Sequence, residues 1–286
     1  MILLIIGYVL FFLAIAILVI QLFPEKLGVK QEEGEPGGAY RILKPLIKYL
    51  ARYNQKLPLA DIKASYKTKM EKAGLQLELS PDDFLAIKEL ALIGGLLLAL
   101  FVYTLLWKDV TVFLLGIALG FFLPDMRLSD AIKKREFAII RSMPNFLDLL
   151  TLAVEAGLDF AGGVRKVIEK SRPNPLIFEF KLFLRELMVG KTRKEALKNM
   201  SNKLEIPDIA SFVSAVIQSE EAGASLGPVL RIQADEMRAK RFQRAEKLAN
   251  QAPVKMLFPL IAFIFPATFI MLFGPLLFQF REMGGF

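Results

Sequence analysis

The sequence contains no cysteine and no histidine. Their joint absence removes disulfides, thiolate and imidazole metal sites, Cys- or Ser/His-type nucleophile pairs and histidine proton relays. Most familiar catalytic chemistry is thereby excluded, which leaves an enzyme little to work with, and no cofactor or metal is expected. Charged residues are missing over long runs as well. By contrast, 54% of the 286 residues are hydrophobic and 24 are phenylalanine, which is too apolar for an ordinary soluble domain. This composition is that of a membrane protein.

Four apolar stretches are candidates for spans, since about 20 apolar residues cross the hydrocarbon core. Residues 1–24 carry no charge. No basic segment precedes this run and no small-residue cleavage site closes it, so it is expected to remain as transmembrane helix 1. Residues 86–124 are apolar from Leu90 to Leu123 except for Trp107-Lys108-Asp109. That length suits two helices joined by a tight turn, transmembrane helices 2 and 3. Residues 254–280 form the fourth span, uncharged from Met256 to Phe280 yet holding Pro259, Pro266 and Pro275.

Basic residues set the sidedness. Eleven Lys and Arg fall between Lys26 and Lys72, Lys88 stands alone, twenty-three fall between Arg127 and Lys255, and only Lys108 and Arg281 remain. This asymmetry places residues 25–85 and 125–253 in the cytoplasm, with the Trp107 turn and the 281–286 tail outside. The net charge of +8 then reads as cytoplasmic loops attracted to anionic lipids rather than as a nucleic-acid surface. Within the basic run Asp235–Lys247, Phe242 is the lone aromatic available to stack on bases.

The segment 125–253 carries apolar residues at helical spacing. Gly157 in EAGLDF, Gly190 in VGKTRKE and Gly223 in EAGASL follow one another at intervals of 33 residues. Two residues after each glycine stands a helix-capping type, Asp159, Thr192 or Ser225. Each joint therefore predicts a helix end turning into a new N-cap, and Thr192 with Glu195 fits a capping box. Proline joints ending at Pro175 and Pro207 supply the opposite turns. The expected result is six helices, at about 136–156, 159–171, 176–189, 192–203, 207–222 and 225–250, in one compact bundle; the signatures of helical repeat arrays with this period are absent. Between Glu32 and Gly38 lies a linker by composition, and Ser80 with Pro81 predicts a further helix start.

Two local patterns tempt a ligand assignment. Gly190-Lys191-Thr192 resembles the end of a phosphate-binding loop, but Arg185 stands where that loop needs glycine, and the lead-in is helical. Glu155, Asp159, Glu220 and Glu221 could gather at one bundle end, although their spacing matches no calcium loop; solvated helix ends, or pairing with a partner's arginines, are the alternatives. The spans lack the ionisable groups that mark transport pathways, which disfavours a channel or permease.

The stretches NFLDLLTLAVEAGLDFAGGV, ELMVGKTRKEAL and FVSAVIQSEEAGASLGPVL, the last running on into the proline-rich span, occur in that order. Together they resemble the F-domain family of bacterial inner-membrane platform proteins in type II secretion and type IV pilus machines. The similarity is closest to the C-type branch of the tight-adherence (Tad) pilus, where the domain occurs once. This resemblance implies an all-α integral membrane protein of the bacterial inner membrane, with about four transmembrane helices and a cytoplasmic six-helix F-domain. It also implies homo- or hetero-oligomers, a second platform protein of the same family among them, and partnership with a hexameric secretion or pilus ATPase and with prepilin or pilin helices. Nucleic acid is not among the implied partners. Glu155, Gly157, Gly190, Glu220, Glu221 and Gly223 become candidate helix-joint and partner-contact residues. Pro259, Pro266 and Pro275 become a candidate docking span for pilin or a second copy, because proline frees backbone carbonyls and kinks a span into a concave apolar face.

Overall fold

The structure, a computed structural model, describes residues 38–283 apart from 56, 57, 59, 76–78 and 106–109. The expected first span and the Trp107 turn lie outside the described residues. Those described are helical: α1 (Gly38–Asn54), α2 (Ala60–Ala73), α3 (Pro81–Leu105), α4 (Val110–Glu155), α5 (Phe160–Lys170), α6 (Pro175–Met188), α7 (Arg193–Leu204), α8 (Pro207–Glu221) and α9 (Leu226–Pro259). A π turn, Leu260–Ile264, and α10 (Phe265–Met283) follow. Two compact units meet in sequence at Gln233 and Ala234.

Helix α4 is one element of 46 residues that passes through Pro124 and Pro144. The expected boundary at 124/125 falls inside it, so the hairpin's second arm and the first bundle helix are continuous. Each proline removes an amide and crowds the carbonyl four residues back, those of Gly120 and Ile140. A helix tolerates this where both flanks are packed. Here Leu128 and Ala131 are buried on one stretch and Met143, Phe146 and Leu147 on the next. Helix α9 also runs through Pro253 without a break at 253/254, although the residues on both sides of this proline are exposed.

Helices α3 and α4 cross at small residues. A Cβ at Gly95 would lie 2.7 Å from the carbonyl oxygen of Gly116, and one at Gly120 would lie 2.7 Å from that of Ala91. The Gly116-x-x-x-Gly120 spacing puts both glycines on one helix face, which lets the two backbones approach closely. Near this crossing, α1 to α4 share a core that includes Ile47, Met70, Phe84, Ile87 and Leu128.

Phenylalanines centre the bundle of α4 to α8. Phe180 stacks on Phe146 at 4.0 Å and meets Phe183 and Phe212 edge-on at 6.2 and 6.3 Å. Each fully buried ring of this kind stabilises the fold by roughly 1.5–3 kcal/mol.

Two helices among the described residues are long and apolar enough to cross a membrane, Gly116–Glu155 and Leu226–Pro275. In the first, 33% of the most apolar stretch is buried in the protein; in the second, 0% is buried. The second leaves its apolar surface for a bilayer to cover.

Candidate functional site

The three spaced glycines adopt φ of +95°, +95° and +63° at Gly157, Gly190 and Gly223. Each closes its helix with the same pair of hydrogen bonds. Gly157 N–H donates to Val154 O and Leu158 N–H to Ala153 O, at 2.9 and 3.1 Å. The amides of Gly190 and Lys191 repeat the pattern on Leu187 and Glu186, and those of Gly223 and Ala224 on Glu220 and Ser219. These are Schellman motifs, and the left-handed residue explains the glycine. Beyond two of the joints the next helix is capped as its sequence predicts. Asp159 accepts from Gly162 N, and Thr192 and Glu195 exchange both bonds of a capping box.

Antiparallel succession brings the three joints to one end of the bundle, and side chains tie them together. Arg193, at the start of α7, pairs with Glu220 at the end of α8. Its guanidinium also lies 5.5 Å from the centroid of Phe160 at the start of α5. Lys194 pairs with Glu221, while Arg231 on α9 reaches Glu155 at the end of α4, at 2.7 Å. Glu155, Glu220 and Glu221 are thus each held by a basic side chain, and Asp159 caps a helix. Among the described residues no acidic or other ligating group of three that could hold a metal occurs.

Beside these ion pairs stand apolar side chains in water: Leu158, Met188 and Val189 are 42%, 74% and 85% exposed. These exposed apolar side chains form an edge next to the surface ion pairs at this end of the bundle. The lead-in to Gly190 is α6, so the phosphate-loop geometry is absent there.

Three carboxyls at this end and beside it, Glu186, Glu195 and Glu221, are held low. Hydrogen bonds from the Thr192 backbone and side chain hold Glu195 below the ordinary carboxylate range, and Lys194 does the same for Glu221. Burial pushes Glu186 up, but bonds from Asn199 and Lys191 outweigh it and leave that carboxyl lowered too. A carboxyl whose folded pKa is depressed adds stability above its unfolded value, about 4.3, and loses it as pH falls through the folded value. Melting temperature, followed by circular dichroism in mild detergent, should therefore fall as pH drops below about 4.3. Glu186→Gln with Glu195→Gln should flatten the fall; an unchanged slope would show that these groups do not set the acid limit.

Pro259, Pro266 and Pro275 lie in the second unit, all exposed. The π turn at Leu260–Ile264 ends just before Pro266, whose missing amide and ring disturb the α pattern at Ala262. Beyond it, Phe265, Phe269 and Phe273 stand four residues apart with ring centroids 4.9 and 5.0 Å from their neighbours. They form one aromatic stripe on α10.

Sequence reasoning missed a buried ion network between α2 and the bundle. Arg135 on α4 and Glu179 on α6 are 5% and 1% exposed in their side chains and meet at 2.6 Å. Arg135 also donates to the carbonyls of Glu71 and Lys72 at 3.2 and 3.0 Å, closing the last turn of α2. Lys203 of α7 pairs with Glu179 at 2.9 Å, and Lys72 pairs with Glu205 at 2.6 Å. Gly74 leaves room for the guanidinium, since a Cβ there would lie 2.7 Å from Arg135 Nε.

Residues 146–274 match the family model of type II secretion system (T2SS) protein F. The match supports an F-domain of the T2SS family in this segment, which takes in α5 to α8 and the apolar stretch that follows. Arg135 and α1 to α3 precede it. No curated protein and no solved structure matches the chain.

Proposed function

We propose that the protein is an inner-membrane platform of a Tad or type IV-like pilus assembly machine, coupling a cytoplasmic hexameric ATPase to the insertion of pilin subunits into a filament. The observation that carries this reading is the F-domain match over 146–274, on a chain whose last long helix exposes its apolar surface entirely. In this reading the protein has no enzymatic activity. Its large basic loops face the cytoplasm, the joint end with Leu158, Met188 and Val189 meets the ATPase or a second platform protein, and the aromatic stripe of α10 meets a pilin helix or another copy. A second reading, the platform of a type II secretion system, is favoured by the description of the matched family itself.

Crosslinking in native membranes, capture in mild detergent and mass spectrometry of the neighbours tests the proposal. The expected result is a hexameric secretion-type ATPase joined to lysines such as Lys191 and Lys194, together with a prepilin joined near α10. Secretion pseudopilins in place of pilins would move the assignment to the second reading. Recovery of neither ATPase nor pilin-like subunits would overturn both.

A further inference from the structure

A groove of about 590 Å³ opens between α2, α3 and the apolar part of α4, within the size range of small-molecule sites. Its wall on α2 presents Asp61, Ser65 and Lys69, spaced four residues apart along one helix face. On α3 the wall presents Lys88 and Glu89 between Leu85 and Leu92, and Phe121 of α4 completes the apolar part. Charged groups from α2 and α3 thus stand beside apolar ones, Ile62, Leu85, Leu92 and Phe121, in one lining. A phospholipid, with a charged headgroup joined to acyl chains, needs both.

The charges narrow the lipid class. Lys88 is already committed, donating to Asp125 at 2.8 Å and to the Tyr66 hydroxyl at 3.0 Å. Lys69, the other lysine of the lining, stands over the Tyr66 ring with no carboxylate partner among the described residues, and is left for a phosphate. Asp61 and Glu89 would repel a headgroup that carries only negative charge, but they suit one that ends in a cation. Quaternary ammonium groups are held by open aromatic faces, and here those faces are taken. Lys88 Nζ sits 3.7 Å from the Phe121 centroid, while Lys69 and Lys88 lie 5.4 and 5.6 Å from that of Tyr66. A primary ammonium, which donates hydrogen bonds to carboxylates, fits instead.

We propose that this groove binds a zwitterionic phospholipid with a primary ammonium headgroup, its phosphate at Lys69, its ammonium at Asp61 and Glu89, and its chains along Leu85, Leu92 and Phe121. The site rests on α3 and α4 standing in the membrane and is independent of the platform assignment. A chain that stays soluble without detergent would remove that membrane reading, a failure distinct from the outcomes below.

The test is native mass spectrometry of the full chain in mild detergent, titrated separately with phosphatidylethanolamine, phosphatidylcholine and phosphatidylglycerol. Ethanolamine lipid is expected to bind about three- to tenfold more tightly than either of the others, the scale of one or two exposed charge-assisted hydrogen bonds. Asp61→Asn with Glu89→Gln should erase the preference over choline lipid, and Lys69→Ala should weaken both. Ser65 is exposed on α2, so Ser65→Trp should fill the groove without disturbing the core and lower retention of the ethanolamine lipid. Equal binding of the three lipids, a preference for phosphatidylglycerol, or Ser65→Trp binding as wild type with unchanged helicity would each overturn the proposal.

Discussion

Arg135→Ala is expected to destabilise the first unit by about 3–5 kcal/mol, the usual effect of removing one partner from a buried ion pair. Three losses add up at this position. Glu179, 1% exposed, keeps only Lys203; the carbonyls of Glu71 and Lys72 lose their donor; and the volume of a nearly buried side chain is left unfilled. Thermal or denaturant unfolding in detergent measures the total. The paired change Arg135→Met with Glu179→Met separates charge from packing. Because Lys203 is 20% exposed in its side chain, it can turn to water once Glu179 is gone, so the double variant should recover most of the loss. A double variant as weak as Arg135→Ala would place the loss in the carbonyls of Glu71 and Lys72, which neither variant supplies with a donor, rather than in the unpaired charge of Glu179.

The contrast between this network and the glycine joints shows what a sequence displays. Gly157, Gly190 and Gly223 are legible because a left-handed C-terminal residue followed by a capping side chain is a local requirement, satisfied within five residues. The capping box at Thr192 and the exchange between Ser80 and Asp83 at the start of α3 are legible for the same reason. Arg135 and Glu179 are 44 residues apart, and each stands in a helix rich in charge. Nothing local distinguishes them from solvated residues, and only the packing of α4 against α6 makes them a pair. The apolar edge at Met188 and Val189 is hidden in a similar way, since a short hydrophobic pair at a helix end reads as core until the fold leaves it outside.

Proline obscures the boundary at the end of the hairpin. Pro124 stands where the apolar arm gives way to charge, and a helix end there is the ordinary inference from a missing amide. What the sequence does not display is that residues on both sides of it are packed. On one side Gly120 lies against the backbone of Ala91 and Leu92 in the hairpin crossing, and on the other Leu128 is buried in the core. With both flanks held, the helix continues through Pro124 as one element, Val110–Glu155.

That crossing is where a single added side chain should have the second large effect. Gly120→Leu places a Cβ 2.7 Å from the carbonyl oxygen of Ala91 and 3.0 Å from the Cα of Leu92, and both are backbone atoms that no rotamer change can move. The helices must separate, at an expected loss of about 3 kcal/mol or more, the upper part of the range for overpacked sites. Close approach of the two backbones also brings dispersion contacts along the whole crossing. Separation therefore removes favourable contacts along Ala91, Gly95 and Gly116 as well as creating a clash. Gly274 is the matched control, because a Cβ there meets nothing within 4 Å, and Gly274→Leu should leave stability nearly unchanged. Unfolding in mild detergent, read by circular dichroism and by the rate of tryptic cleavage, compares the two variants. If Gly120→Leu melts with Gly274→Leu and the wild type, α3 and α4 do not depend on this contact.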